Sequence, residues 1–162
     1  MISFDHTLEP LEFALANAQA LGYLDGYKSH LEGLIQHKSV RFADAEMDVQ
    51  WQVCVGDFPS MLASPAARTL PKPQAILFDA YSPARNPAMW TQPLFGNLFE
   101  LLDPTRPCAL ATYSRSTMLR VSLLLAGFFV GSGHATGEKE ETTIAANSLE
   151  LITEPLRPDW LK

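Results

Sequence analysis

Short apolar runs alternate with helical patterns along most of this chain, and that alternation limits the architectures open to it. Ile2–Phe4 is a short apolar run closed by Asp5, and Thr7, Glu9 and Pro10 then carry helix-start signals before an apolar face that fades at Gly22. A second helix is expected over Lys28–Gln36. The valine-rich alternation of Gln50–Val55 reads as a strand running into Gly56-Asp57. Phe58–Leu62 opens a helix, and a proline-containing loop leads to a strand over Ala75–Phe78. There follow a helix near Gln92–Leu102, the strand CALATY, a helix near Ser116–Ala126 closed by Gly127, and the strands FFV and TTIAA. Gly131–Glu141 is a polar loop between those last two strands, and the tail is irregular, with Leu156 and Trp160 packing back. Strand–helix alternation that ends in a strand pair predicts an open α/β sheet, mostly parallel, with its last strand antiparallel.

In such sheets ligands bind beyond the carboxyl ends of the strands. Three aspartates fall at such ends: Asp5, Asp57 and Asp79. Helix capping is an equal reading for Asp5 and Asp57. It suits Asp79 poorly, because Pro83 and Pro87 postpone the next helix.

Composition narrows the class of function. A chain of 162 residues is long enough for one domain with a sizeable core. With 47% apolar and 19% charged residues it is globular in character, and no apolar run approaches the ~18 residues that cross a bilayer. MISFDH has neither the basic nor the apolar segment of a signal peptide. Cys54 and Cys108 lie in strand-like runs and are expected as buried free thiols, which places the chain in the cytoplasm. The net charge of −6 argues against tight nucleic-acid binding by this chain alone. Residues 1–80 hold ten acids against five Lys/Arg, whereas Arg85, Arg106, Arg115, Arg120 and Lys139 fall in the other half, where the site is expected.

Several chemistries are disfavoured. The four histidines show no zinc spacing, so no metal is expected. Ser82, Ser114 and Ser116 have no nucleophile-elbow context. Gly131, Gly133 and Gly137 lead to a strand and not to a helix, which does not suit a phosphate loop.

The segment FDAYSPARNPAMW, Phe78–Trp90, resembles the Asp…Ser/Ala-Pro…Asn-Pro…Trp motif of the MnmC-like methyltransferase domains, which finish a wobble-uridine modification in tRNA. ISFDHTLEPLEFAL, VGDFPSML, ALATYSRSTMLRVSLLLAGFFV and GEKEETTIAA follow the same order, so the resemblance covers nearly all of residues 1–162 as one domain. It implies a Rossmann-like fold using S-adenosyl-L-methionine. By the resemblance Asp5 meets the cofactor's ribose hydroxyls, Asp57 its adenine amino group, and Asp79 lies near the transferring methyl. Asp79 and Asn86 are the expected catalytic residues. Ser82, Pro83, Asn86, Trp90 and Lys139 are expected to shape or contact the acceptor, with Trp90 either a packing anchor or a base-stacking platform.

One departure stands out. The family's first strand and glycine-rich turn precede the segment matched by ISFD, so the domain reads as truncated at its N-terminus. The chain is then a fragment, or self-association or a partner fills the missing central strand, or the cofactor site is degenerate and the chain is an interaction module. No flavin is expected, because nothing here matches the oxidase part of the bifunctional relatives.

Overall fold

A computed structural model of the chain describes residues 1–135, 137, 141–157 and 160. Among them the chain forms two compact units, Met1–Phe58 and Pro59 onward.

In the first unit β1 (Ile2–Asp5) pairs in parallel with β3 (Met47–Val55), and β2 (Ser39–Asp44) pairs antiparallel with the other side of β3. The alternation that predicts β3 has its physical counterpart: Val49, Trp51 and Val53 turn inward while Asp48, Gln50 and Gln52 face water. Three helices follow β1: α1 (Glu9–Ala16), α2 (Ala18–Leu21) and α3 (Lys28–His37). Thr7 does not cap α1 in the expected way. Its hydroxyl accepts from the Glu9 amide at 3.2 Å, one residue early, and Leu8 occupies the cap position. Leu8, Leu34 and Val53 form one buried cluster, and Ala18, Leu24 and Leu31 a second. The Trp51 indole donates to Ser3 Oγ at 2.9 Å, tying β3 to β1 by side chains as well as backbone.

The hairpin β2–β3 has no forerunner in the sequence expectations, which begin the strand at Gln50. Its two-residue turn is Ala45-Glu46, with Ala45 at φ 51°, where glycine or asparagine is the usual signal. Lys38, at φ 60°, ends α3 in the left-handed conformation that the sequence would announce with glycine.

In the second unit the sheet order is β4 (Ala75–Leu77), β5 (Ala109–Thr112), β7 (Thr142–Ala146), β6 (Phe129–Gly133). β4 and β5 are parallel, and β7 runs against both β5 and β6. The fold is thus the expected α/β type, with one strand in each sheet opposed to the rest. The helices are α4 (Phe58–Ala63), which begins at the unit boundary, α5 (Gln92–Leu101) and α6 (Thr117–Ala126). Thr91 Oγ1 caps α5 and Ser116 Oγ caps α6, each accepting the amide three residues on. Gly127 closes α6 at φ 107°. Phe95, Leu110, Leu119 and Leu123 are fully buried.

Both thiols are free, Cys108 buried and Cys54 half-buried. β6 extends through Gly133, shortening the polar loop expected from Gly131. A Cβ on Gly131 would sit 2.5 Å from the Glu154 carbonyl oxygen, so this glycine lets the tail lie against β6 and is no phosphate cradle. The tail packs back as expected: Pro155 bridges to Gly131, and the Arg120 guanidinium lies 6.0 Å from the centre of the Trp160 ring.

One edge of each sheet ends on a parallel strand. Among the described residues β1 pairs only with β3, and β4 only with β5. Leu77, in β4, is 87% exposed, an unusual state for a strand of parallel type, which normally has both faces covered.

A buried ionic network joins α6 to the β6–β7 pair. Arg120, 6% exposed, donates to Thr143 Oγ1, the Thr142 carbonyl and Glu141 Oε1, and Glu141 also accepts from the Ser132 hydroxyl. Arg120, then Ser132, hold the Glu141 carboxyl below its ordinary range. A carboxyl depressed in the folded state stabilises fully above its unfolded pKa, and that gain is lost as pH falls through the folded value. Glu141→Gln should therefore destabilise the protein at pH 7 by about 1–2 kcal/mol, less than a fully buried pair because Glu141 is partly in water. In urea titrations the gap between the two proteins should close as pH falls below the ordinary carboxylate range.

Candidate functional site

Parallel pairing decides where the first two aspartates lie. β1 and β3 run in register from Ile2 beside Gln52 to Asp5 beside Val55, so both strands end at one edge. The Gly56 amide donates to the Asp5 carbonyl at 2.8 Å, which sets Asp57 next to Asp5 at that edge. Asp5 Oδ1 accepts from the Thr7 amide at 3.4 Å and closes the turn after β1. His6 Nε2 stands 3.8 Å from Asp57 Oδ1, in a solvent-exposed pair. The sequence reading gave His6 no role at this edge; its place directly after a strand-end aspartate is the signal that would put it there. Within the first unit the Phe4 and Phe58 rings meet at 4.8 Å between centres.

This edge suits the nucleoside half of the expected cofactor. Two exposed carboxylates are acceptors only, the complement of a vicinal diol and of an exocyclic amine. Among the described residues no glycine-rich turn adjoins this edge. The fit is to ribose and adenine.

The other predicted residues are built around one loop of the second unit. Phe78 ends β4 with its amide bonded to the Ala111 carbonyl at 2.9 Å, and its ring is buried. Asp79 follows, exposed, at the carboxyl edge that β4 shares with β5. Tyr113 and Ser114 leave β5 at the same edge, and the sequence reading did not assign Tyr113 a role. The Ser82 carbonyl accepts from both the Arg85 and the Asn86 amides at 2.9 Å, folding Ser82-Pro83-Ala84-Arg85 into a tight turn. Pro83 fixes the first central φ of that turn. Asn86, half-buried, then starts the short 3-10 turn Pro87–Trp90, with the Met89 amide on its carbonyl at 3.2 Å.

Trp90 holds the loop down. It is 5% exposed, its indole donates to the Tyr81 carbonyl at 2.7 Å, and its ring meets Phe78 edge-on at 5.5 Å. Of the two roles expected, the packing anchor is the one its position serves. Any influence on an acceptor passes through the Tyr81 backbone that it fixes. Ser82 is exposed, with Tyr81 beside it 74% exposed. Lys139 lies outside the described residues. Asp5 and Asp57 are thus brought together in the first unit, while Asp79, Ser82, Pro83, Asn86 and Trp90 share one loop in the second. Among the described residues no group of His, Cys, Asp and Glu is arranged to hold a metal.

Comparison with known proteins bears on what such edges serve. A family model described as S-adenosyl-L-methionine-dependent methyltransferase matches residues 23–148. The chain is 33% identical over 86 residues to the tRNA 5-methylaminomethyl-2-thiouridine biosynthesis bifunctional protein MnmC of Aliivibrio fischeri, covering 53% of this chain and 12% of that protein. It is 39% identical over 67 residues to the protein of the same name from Aeromonas hydrophila, covering 41% and 10%. The chain therefore matches only about an eighth of the length of these curated relatives. Among solved structures it is similar to MNMC2 from Aquifex aeolicus, with a TM-score of 0.62, 24% identity, and coverage of 99% of this chain and 57% of that one. At that identity the likeness establishes the fold.

Replacing Trp90 tests the anchor directly. Trp90→Phe keeps a ring against Phe78 but removes the donor to Tyr81, and it should cost about 1–3 kcal/mol in urea denaturation. Amides of residues 79–89 should exchange with solvent faster than in the parent, while those of β7 should not.

Proposed function

The chain belongs to the family of S-adenosyl-L-methionine-dependent methyltransferases, and we propose that it serves methyl transfer to an amine on the wobble uridine of tRNA. The observation that carries this reading is the Asp79–Trp90 loop: a strand-end carboxylate followed by a turn locked to a buried indole. The tRNA acceptor comes from the names of the MnmC relatives and is proposed here for this chain, as are a cytoplasmic setting and the working of residues 1–162 as one methyltransferase domain. No described helix is long and apolar enough to cross a membrane, which suits that setting.

S-adenosylmethionine supplies a methyl group on a sulfonium, already activated toward an amine. What the protein must add is alignment, a neutral nucleophile and exclusion of water. Asp5 and Asp57 hold the nucleoside by accepting from its ribose hydroxyls and its adenine amine. Asp79 takes the proton that the acceptor amine sheds. Asn86 offers an amide to orient the acceptor, and Ser82 and Pro83 give the loop its shape. Lys139 is the proposed contact to a substrate phosphate. A further strand, from another segment or another molecule, pairs with the open edge of β1 or β4. Leu77 is the apolar side chain such a strand would cover on β4.

S-adenosylhomocysteine, titrated calorimetrically into the chain and into the chain extended by an N-terminal strand and glycine-rich turn, tests the cofactor assignment. Heat that saturates at one ligand per chain is expected in at least the extended protein, and Asp5→Ala should weaken it. Binding by neither protein would overturn the assignment and leave an interaction module. In the form that binds, Asp79→Asn should lower single-turnover methylation of aminomethyl-uridine tRNA about 10²–10⁴-fold with the melting curve unchanged. Asn86→Ala should mainly raise KM. Normal activity per folded molecule in Asp79→Asn would assign that segment a purely structural role.

A further inference from the structure

The first unit contains a pocket that the methyl-transfer reading does not use. It has a volume of about 270 Å³ and opens among α1, α3 and β2. Tyr23, Tyr27, Phe42 and Trp51 line it, together with His30 and Leu11. Its rings are held by one another. His30 stacks on Phe42 at 4.3 Å and 11° between planes, and Tyr27 meets Phe42 edge-on at 6.1 Å and 72°. The Tyr27 hydroxyl donates to Asp44 Oδ2 at 2.8 Å, which sets a carboxylate at the tip of one lining ring. That bond also raises the Tyr27 phenol above its ordinary pKa, so its ring stays neutral and its hydroxyl a donor. Tyr23 is 65% exposed although its ring lines an apolar pocket.

Two physical properties set the ligand class. Aromatic faces present negative potential and attract cations, most strongly when several rings surround one charge. Residues 1–58 also hold nine acids against three Lys/Arg, which is the whole net charge of −6. An anion or a phosphate-bearing group would be repelled, and a neutral hydrocarbon would gain nothing from the field. A cation clothed in methyl groups gains from both the rings and the charge. We propose that this aromatic pocket binds a small alkylated ammonium cation, with the Tyr23, Tyr27, Phe42 and Trp51 rings around the methyls and Asp44 supplying the counter-charge. The volume, just below the usual range for pockets that take drug-sized ligands, suits a trimethylammonium head and a short chain.

Choline and its uncharged isostere 3,3-dimethylbutan-1-ol, titrated into the full chain, separate the cation from its shape. Aromatic proton resonances of Tyr23, Phe42 and Trp51 should shift saturably with choline, about tenfold more tightly than with the alcohol. Tyr23→Leu, at an exposed position where folding is not at stake, and Asp44→Asn should each weaken choline and leave the alcohol unchanged. Equal affinity for the two compounds, tighter binding of adenosine, or linear unsaturated shifts would each overturn the proposal. Equal affinity or unsaturated shifts would leave S-adenosylhomocysteine binding untouched, whereas tighter adenosine binding would move the nucleoside site from Asp5 and Asp57 to this pocket, so the failures of the two readings are distinguishable.

Discussion

The indole of Trp90 is the point on which the second unit's site depends. One hydrogen bond, to the Tyr81 carbonyl, and one edge-on contact, to Phe78, join the end of β4 to the start of α5. Between those points the chain would otherwise be an eleven-residue loop (79–89) on the surface, free to sample many conformations at an entropic cost that grows with each residue fixed. Pro83 and Pro87 reduce that freedom before folding begins, and the Ser82 carbonyl, shared by two amides, removes more of it. The loop is therefore rigid for reasons local to it, which is what placing a carboxylate against a reacting amine requires.

The same economy appears in how the two sheets present their carboxylates. Parallel pairing ends neighbouring strands at a common edge, so the backbone register makes Asp5 and Asp57 neighbours. Antiparallel β7, by contrast, carries Thr142 and Thr143 into the Arg120 network, where they satisfy a buried guanidinium. Strand direction thus separates carboxylates left at an open sheet edge from residues that hold the sheet together.

Most of this was legible in the sequence because it is written in period and punctuation. The alternation in Gln50–Val55 and the glycine closing α6 act locally; α5 and α6 appear within a residue of their expected bounds, while β3 starts three residues earlier, at Met47. The β2 strand was illegible for an equally local reason. Ala45 and Lys38 adopt left-handed conformations that their side chains do not favour, so neither announces a turn, and tertiary packing of Val40 and Phe42 supplies what the turn chemistry lacks. Among candidate residues, the aspartates could be singled out because strand ends can be read. His6 and Tyr113 were not, since a single histidine or tyrosine carries no spacing signal. The choice between anchor and stacking platform for Trp90 turned on burial, which no pattern in thirteen residues encodes.

Charge sets the terms on which this chain could meet a polyanion. Its excess of acid lies wholly in residues 1–58, and the remainder carries as many Lys/Arg as Asp/Glu. Of the basic residues expected near the site, Arg120 is buried in its network, and Arg106 is paired with Asp103 and reaches the Lys72 carbonyl. Arg85, in the acceptor loop, Arg106 and Arg115, after β5, are the exposed ones of that set among the described residues. Three exposed arginines, one of them already paired with Asp103, displace few counterions, so phosphate contacts from them would yield weak, shallowly salt-dependent binding. On the proposed reading, discrimination of the acceptor then falls to the geometry of the Asp79–Trp90 loop. A chain with so little electrostatic attraction to offer depends on that loop's shape being fixed before the acceptor arrives, and the buried indole is what fixes it.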